Sequence, residues 1–211
     1  MPTIEQAQKW YEGADPVHDF DHVSRVYRMA ERLAKVEGAD LEIVRAAALL
    51  HDAEGSSPDD ASARMAHHEA SAAFAGEVLK EEDWSQERIE AVQHCIRAHR
   101  YRSTEEPETI EAKVLFDSDK LDVLGAFGVA RTIGYAALAG QPSYVEPSEQ
   151  FLSTGEKEEG EPHSSYHEFI FKLSKVKDRL YTESAKKLAQ QRHQFIVDFY
   201  EQLAAEQRGE L

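Results

Sequence analysis

Residues 41–55 read LEIVRAAALLHDAEG. The question they pose is why so apolar a segment ends on a histidine and an aspartate side by side. From Leu41 to Leu50 hydrophobic side chains fall on nearly every face at helical spacing, the pattern of a helix buried all round. Val44, Ala47 and Ala48 share a stripe with His51, so the imidazole points inward and Asp52 follows it. A buried aspartate without compensation costs on the order of several kcal/mol. Asp52 must therefore be paired, hydrogen-bonded or set against a cation. The plainer alternative places His51 on the negative end of the helix dipole, with Asp52 opening the SSPDD turn at 56–60.

Working outward, helical periodicity dominates and sustained alternation is missing, so the chain reads as all-α. One helix is expected from about 17 to 37, with Val23, Val26, Tyr27, Ala30, Leu33 and Ala34 as its stripe and Gly38 as its stop. Others are expected at 66–80, 85–101, 109–139, 164–181 and 183–207. The last should turn Leu188, Ile196, Phe199 and Leu203 inward. Residues 141–163, rich in proline, glycine and acidic side chains, read as a long loop, either a surface excursion or a lid. The whole is taken as a single domain over 1–211: a core at about 15–140, that acidic loop, and C-terminal helices at 164–207 packing on the core.

The totals narrow the function. The chain carries 24 basic against 40 acidic residues, a net charge of −16, and no basic cluster, which disfavours a nucleic-acid polymer as partner. One cysteine in 211 residues excludes an internal disulfide and suits a reducing, cytoplasmic setting. Neither a leader-like N-terminus nor a membrane-length apolar run is present, so no membrane role is expected. A small anionic substrate would need strong local positive charge, which a metal ion supplies.

Candidate ligands for such an ion sit on other apolar faces. His22 lies one turn ahead of Val26 on the first stripe. Asp119 lies within VLFDSDKLDVLG (114–125), with Leu115 and Val123 one turn to either side. Asp117 and Asp122 face solvent or cap neighbours in this reading. His22, His51, Asp52 and Asp119 together make a two-histidine, two-aspartate set drawn from three helices. Imidazole with carboxylate suits Mn²⁺, Fe²⁺, Co²⁺, Ni²⁺ or Zn²⁺, with Mg²⁺ a further option, and leaves coordination sites for water or phosphate oxygens.

The ordered motifs HDFDHVSRV (18–26), LLHDAEG (49–55) and DSDKLDVLG (117–125) resemble the HD-domain superfamily of metal-dependent phosphohydrolases, whose signature is H…HD…D. HHEASAAFAGEVL, CIRAHRY and KLAQQRHQFIVDFYEQL extend the likeness to small stand-alone bacterial members, over roughly residues 15–205. The resemblance implies a helical bundle of the HD type. It makes His22 the first ligand, His51 and Asp52 the signature pair and Asp119 the last. It also implies hydrolysis of phosphoester or pyrophosphate bonds in nucleotides, often with Mn²⁺. One departure stands out. Some superfamily members carry a catalytic glutamate four residues after the signature histidine, where this chain has Gly55, with Glu54 one place earlier.

The implied chemistry is metal-assisted hydrolysis, the ion lowering the pKa of a water that attacks phosphorus in line. Asp52 both binds the ion and orients the water. Arg25, one turn after His22, is placed for a bidentate phosphate clamp, and Lys120 adds a point charge. His68, on a face with Ala72 and Ala75, and His99, three residues after Ile96, are candidate phosphate contacts. Together they form a possible pair for a second metal. His67, His94, His163, His167 and His193 are expected in solvent. Two other functions compete: an HD-type di-iron oxygenase and a non-catalytic nucleotide- or metal-sensing module. A homodimer through the C-terminal helix is a further possibility.

Overall fold

A computed structural model describes residues 1–12, 20–54, 61–100 and 105–211, and of 61–66 the backbone alone. Among the described residues the structure is helical throughout, as the periodicity predicts: α1 (Ile4–Trp10), α2 (Phe20–Glu37), α3 (Leu41–Leu50), α4 (Ala61–Glu81), α5 (Gln86–Ala98), α6 (Ile110–Asp122), α7 (Gly125–Leu138), α8 (Glu149–Thr154), α9 (Ser165–Phe171), a 3-10 segment (Leu173–Arg179) and α10 (Glu183–Gln207). None of these helices is by itself long and apolar enough to cross a membrane. The chain falls into two compact units, residues 1–119 with 181–185 and residues 120–180 with 186–211. The boundary lies inside α6.

In the first unit α3 is the central element, as its composition demands. Val44, Ala46, Ala47, Ala48, Leu49 and Leu50 are all buried, and Asp40 caps its start by accepting from the Glu42 and Ile43 amides. α2 packs along α3, α4 along α5, and α3 also meets α4 and α5. α2 buries Val23, Val26, Ala30, Leu33 and Ala34 and ends at Gly38, whose φ of +76° only glycine adopts without strain. Periodicity does not reveal α1, because it is too short. Its capping box, Thr3 with Gln6, was readable in the sequence. It seats Ala7 and Tyr11 against Val23 and Leu49.

Several expected elements differ. The helix expected over 109–139 is two helices. Leu124 is extended and Gly125 takes a φ of +72°, a conformation that ends α6 and starts α7. The expected 164–181 helix is α9 followed by the 3-10 segment, parted where Lys172 leaves helical geometry. Residues 141–163 are not bare loop, because they hold α8, capped by the Ser148 hydroxyl and closed by Gly155 at φ +78°. α10 is turned from the expected stripe: Ala189, Ile196, Tyr200 and Ala204 are buried, while Leu188, Phe199 and Leu203 are only half-buried.

The second unit is knit by aromatic and carboxylate contacts. Phe169 stacks on Tyr200 at 4.6 Å, and Phe151 meets His167 edge-on at 4.5 Å. Glu161 gathers the segment around α8, accepting from the Ser148 amide and hydroxyl, the Glu158 amide and His167 Nε2. His167 is therefore fully buried rather than in solvent.

Two outcomes follow for stability. A Cβ on Gly128 would lie 2.2 Å from the Val123 carbonyl oxygen, while nothing lies within 4 Å of one on Gly134. Gly128→Ala should cost about 1–3 kcal/mol through forced displacement, and Gly134→Ala should gain about 0.5–1 kcal/mol through helix propensity, both read by urea denaturation. Donation from His167, then from Ser148, holds the Glu161 carboxyl down at about 2, against its ordinary 4.5. Its contribution is present above the ordinary value and is lost as pH falls through about 2. Calorimetry should therefore show Glu161→Gln melting below wild type at neutral pH, with the gap closing on acidification.

Candidate metal centre

The last turn of α3 is where its carbonyls run out of amide partners. Each of three successive carbonyls finds another donor: Ala48 receives His51 Nδ1 at 2.9 Å, Leu49 the Tyr11 hydroxyl at 3.0 Å and Leu50 the Ala53 amide at 3.3 Å. A carbonyl only accepts, so Nδ1 of His51 carries the proton and Nε2 presents a bare lone pair. Burial first, together with the neighbouring His99 and His22, lowers the His51 pKa to about 4, and the ring is neutral at physiological pH.

That lone pair faces an anion. His51 Nε2 lies 3.5 Å from Asp52 Oδ2, and His22 Nε2 lies 3.9 Å from the same oxygen and 3.4 Å from Asp119 Oδ1. The structure thus brings together all four side chains of the expected set, from α2, α6 and the end of α3, within the first unit. Burial works to raise the Asp52 pKa, but the surrounding histidines, His51 first and then His67 and His99, outweigh it and hold the carboxyl well below its usual range. Among the described residues, neither His51 Nε2 nor Asp52 Oδ1 has a hydrogen-bond partner. A lone pair turned onto a carboxylate in a buried site is repulsive unless positive charge lies between them.

The opposite oxygen of Asp52 has its own histidines. His67 Nε2 and His99 Nε2 each lie 3.4 Å from Oδ1. His99 repeats the arrangement of His51: it follows directly on its helix, α5, and its Nδ1 bonds the Ile96 carbonyl three residues back at 2.5 Å. Two groups of atoms converge closely enough to hold an ion, His22–His51–Asp52 and Asp52–His67–His99, with Asp52 common to both. Ligands roughly 2.1 Å from an ion are separated by about 3–4 Å, and the contacts above match that spacing. The donor set of neutral imidazoles and carboxylates fits a divalent transition metal.

His67 was expected in solvent and is instead half-buried against Asp52. His68 is turned to Glu69, with Nε2 3.9 Å from the Glu69 carboxylate. The missed signal was Ser71, a fully buried serine one turn after His67, which marks the face of α4 that meets the site. His94 is likewise not solvated; it bonds the Glu105 carboxylate through Nδ1 and accepts the Glu108 amide at Nε2. His193 is half-buried as well, and His163 is partly covered beside Glu168. Asp117, expected to face solvent or to cap, is buried and accepts from the Tyr181 and Thr182 amides and the Thr182 hydroxyl at the start of α10. Asp122 pairs with Arg131 at 2.8 Å. Arg25 lies on α2 beyond His22 and is half-buried, and Lys120 is buried as the first residue of the second unit. Gly55 and the 56–60 turn lie outside the described residues.

The profile of the HD domain matches residues 19–124. YpgQ of Bacillus subtilis is 31% identical over 96% of this chain and 93% of its own length. Its crystal structure in complex with ADP superposes with a TM-score of 0.71 at 29% identity, covering 97% of both chains. A Lactobacillus plantarum protein of known structure gives a TM-score of 0.76 at 28% identity, covering 99% of this chain and 100% of its own. An HD-superfamily hydrolase from Bacillus thuringiensis gives 0.70 at 30% identity, covering 97% and 94%.

The cation reading has a direct check. Asp52→Asn removes the charge that both histidine groups face, and Mn²⁺ or Zn²⁺ affinity measured by calorimetry should fall on the order of 100-fold or more, with helicity by circular dichroism unchanged. His67→Ala should weaken binding more than His68→Ala. Unaltered affinity in Asp52→Asn would exclude the site.

Proposed function

This chain belongs to the HD-domain family, and on that premise we propose that it is a metal-dependent phosphohydrolase cleaving phosphoester or pyrophosphate bonds of small nucleotides. The observation that carries the reading is the buried, ionised Asp52 faced by a neutral His51 whose Nε2 is orphaned. His22, His51, Asp52 and Asp119 would hold the ion. Bound there, a divalent ion supplies Lewis acidity toward water and phosphoryl oxygen.

The chain's own groups do the rest. Asp52, ionised and with one oxygen turned away from His51, is suited to accept a hydrogen bond from the attacking water and so fix its direction. Arg25, on α2 beyond His22, is the candidate clamp for a phosphate. Lys120, next to Asp119 in the chain, is a candidate for further positive charge, and His99 and His68 remain candidate phosphate contacts. The ADP in the YpgQ crystal structure supports a nucleotide as the ligand class, and the Bacillus thuringiensis neighbour, an HD-superfamily hydrolase, supports hydrolysis as the reaction class.

A second reading has its own support. Asp52 Oδ1 with His67 and His99 repeats the ligand chemistry of the first group, so two ions bridged by one carboxylate fit the same residues. Two ions are compatible with hydrolysis and are also what a di-iron oxygenase needs.

Purified protein loaded with Mn²⁺, Fe²⁺, Co²⁺, Ni²⁺, Zn²⁺ or Mg²⁺ should be tested against nucleoside mono-, di- and triphosphates, with phosphate and pyrophosphate release measured separately. Hydrolysis with at least one transition metal, abolished in Asp52→Ala, is expected. Two irons per chain with O₂ consumption and no phosphate release would point to the oxygenase instead. A metal-loaded chain inert in both assays leaves a sensing module.

A further inference from the structure

The turn that carries His51 and Asp52 is gripped from two sides by hydroxyl groups outside the metal-ligating set. On one side the Tyr11 hydroxyl donates to the Leu49 carbonyl at 3.0 Å. Its ring is 6% exposed, set among Ala7, Val23 and Leu49. Burial, and then the charge of Asp52, push this phenol well above its usual range, so it remains a donor. On the other side the Ser71 hydroxyl accepts the Glu54 amide and donates to the Glu54 carbonyl, both at 3.1 Å. Ser71 is completely buried.

Each bond closes a gap left by the chain's direction change. The Leu49 carbonyl has lost the amide four residues on, because Ala53 bonds Leu50 instead. Glu54 lies beyond the helix, and Ser71 serves both of its backbone groups. A serine hydroxyl offers one donor and acceptor lone pairs, which matches one amide and one carbonyl. Ser71 also lies one turn after His67 on α4, so the same bonds fix the register at which His67 meets Asp52.

We propose that Tyr11 and Ser71 are positioning residues for the metal centre: the Tyr11 bond at one end of the 49–54 turn and the pair of Ser71 bonds at the other fix where Asp52 aims its two carboxylate oxygens. This rests on the reading of that centre as a metal site. Neither residue touches the ion or the substrate; both act through the backbone on either side of Asp52.

The test uses the full chain and Mn²⁺ alone, its free concentration followed by electron paramagnetic resonance, with the apo melting temperature measured in parallel. Tyr11→Phe removes only the hydroxyl and leaves the ring in its cluster. Ser71→Ala removes both bonds to Glu54, and Ser71→Thr restores a hydroxyl. Tyr11→Phe and Ser71→Ala should each bind Mn²⁺ about 10–100-fold more weakly, with Ser71→Thr recovering toward wild type. The visible spectrum of the Co²⁺-loaded variants should shift, reporting altered ligand geometry. Affinity and spectrum unchanged in Tyr11→Phe and Ser71→Ala, while the wild type binds tightly, overturn the clamp and leave the metal reading standing. Affinity losses that only follow losses in apo melting temperature also overturn it. A wild-type chain that takes up no Mn²⁺ overturns the metal reading and this proposal with it.

Discussion

Everything in the first unit is organised around a carboxylate held where water does little for it. Asp52 is ionised, buried and encircled by the Nε2 atoms of His22, His51, His67 and His99. It also follows directly on the C-terminus of α3, the negative end of that helix's dipole, which is the wrong end for an anion. Neutral imidazoles cannot repair this arrangement. His51 is neutral, with its proton committed to a backbone carbonyl, so it turns a lone pair toward the anion. Positive charge at the centre relieves the carboxylate, the imidazoles and the helix terminus together. The surrounding structure makes sense as scaffolding for that charge: an apolar central helix, the Tyr11 and Ser71 hydroxyls bonded to the backbone on either side of Asp52, and histidines from α2, α4 and the end of α5 converging on it.

The sequence was most legible where burial and chemistry conflict openly. An apolar helix ending in His–Asp, a histidine on the α2 stripe and an aspartate amid leucines each stand out against their surroundings, and those side chains do converge. α4 was harder for a physical reason. Its run of alanines and small residues gives little contrast between faces, so the Ala72 and Ala75 stripe points to His68 and leaves His67, which meets Asp52, in solvent. The serine at 71, polar yet fully buried, defines the face more sharply than any alanine. The same weakness misdirected α10, where larger residues beside Ala189 and Ala204 drew the expected stripe off phase. Gly125 was visible, but whether a glycine interrupts a helix depends on the φ it adopts, which composition does not report.

The three aspartates of α6 show how spacing within one helix divides labour. Asp117 is consumed by the start of α10, Asp119 faces His22, and Asp122 pairs with Arg131. At roughly 100° per residue these positions point in different directions, so a single acidic cluster in the sequence becomes three unrelated contacts. A reading that pooled them by proximity would have credited the site with more negative charge than it has.

Charge counting then bears on the substrate. Asp52 and Asp119 contribute two negative charges, and one divalent ion cancels them, the histidines being neutral ligands. A centre neutralised in this way has no net attraction left for phosphate, and it sits on a chain of net charge −16, which repels anions over the Debye length. Binding a nucleotide by its phosphates therefore needs positive charge beyond the first ion. In the proposed reading two sources are at hand: Arg25, on the helix that carries His22, and a second ion on the free side of Asp52, where His67 and His99 add ligands without adding negative charge. Both act only at short range, within a few ångströms of the bound phosphate. On that proposal the site would select small phosphorylated molecules able to reach the ion and discriminate against long polyanions, whose remaining charge would meet a chain of net negative charge.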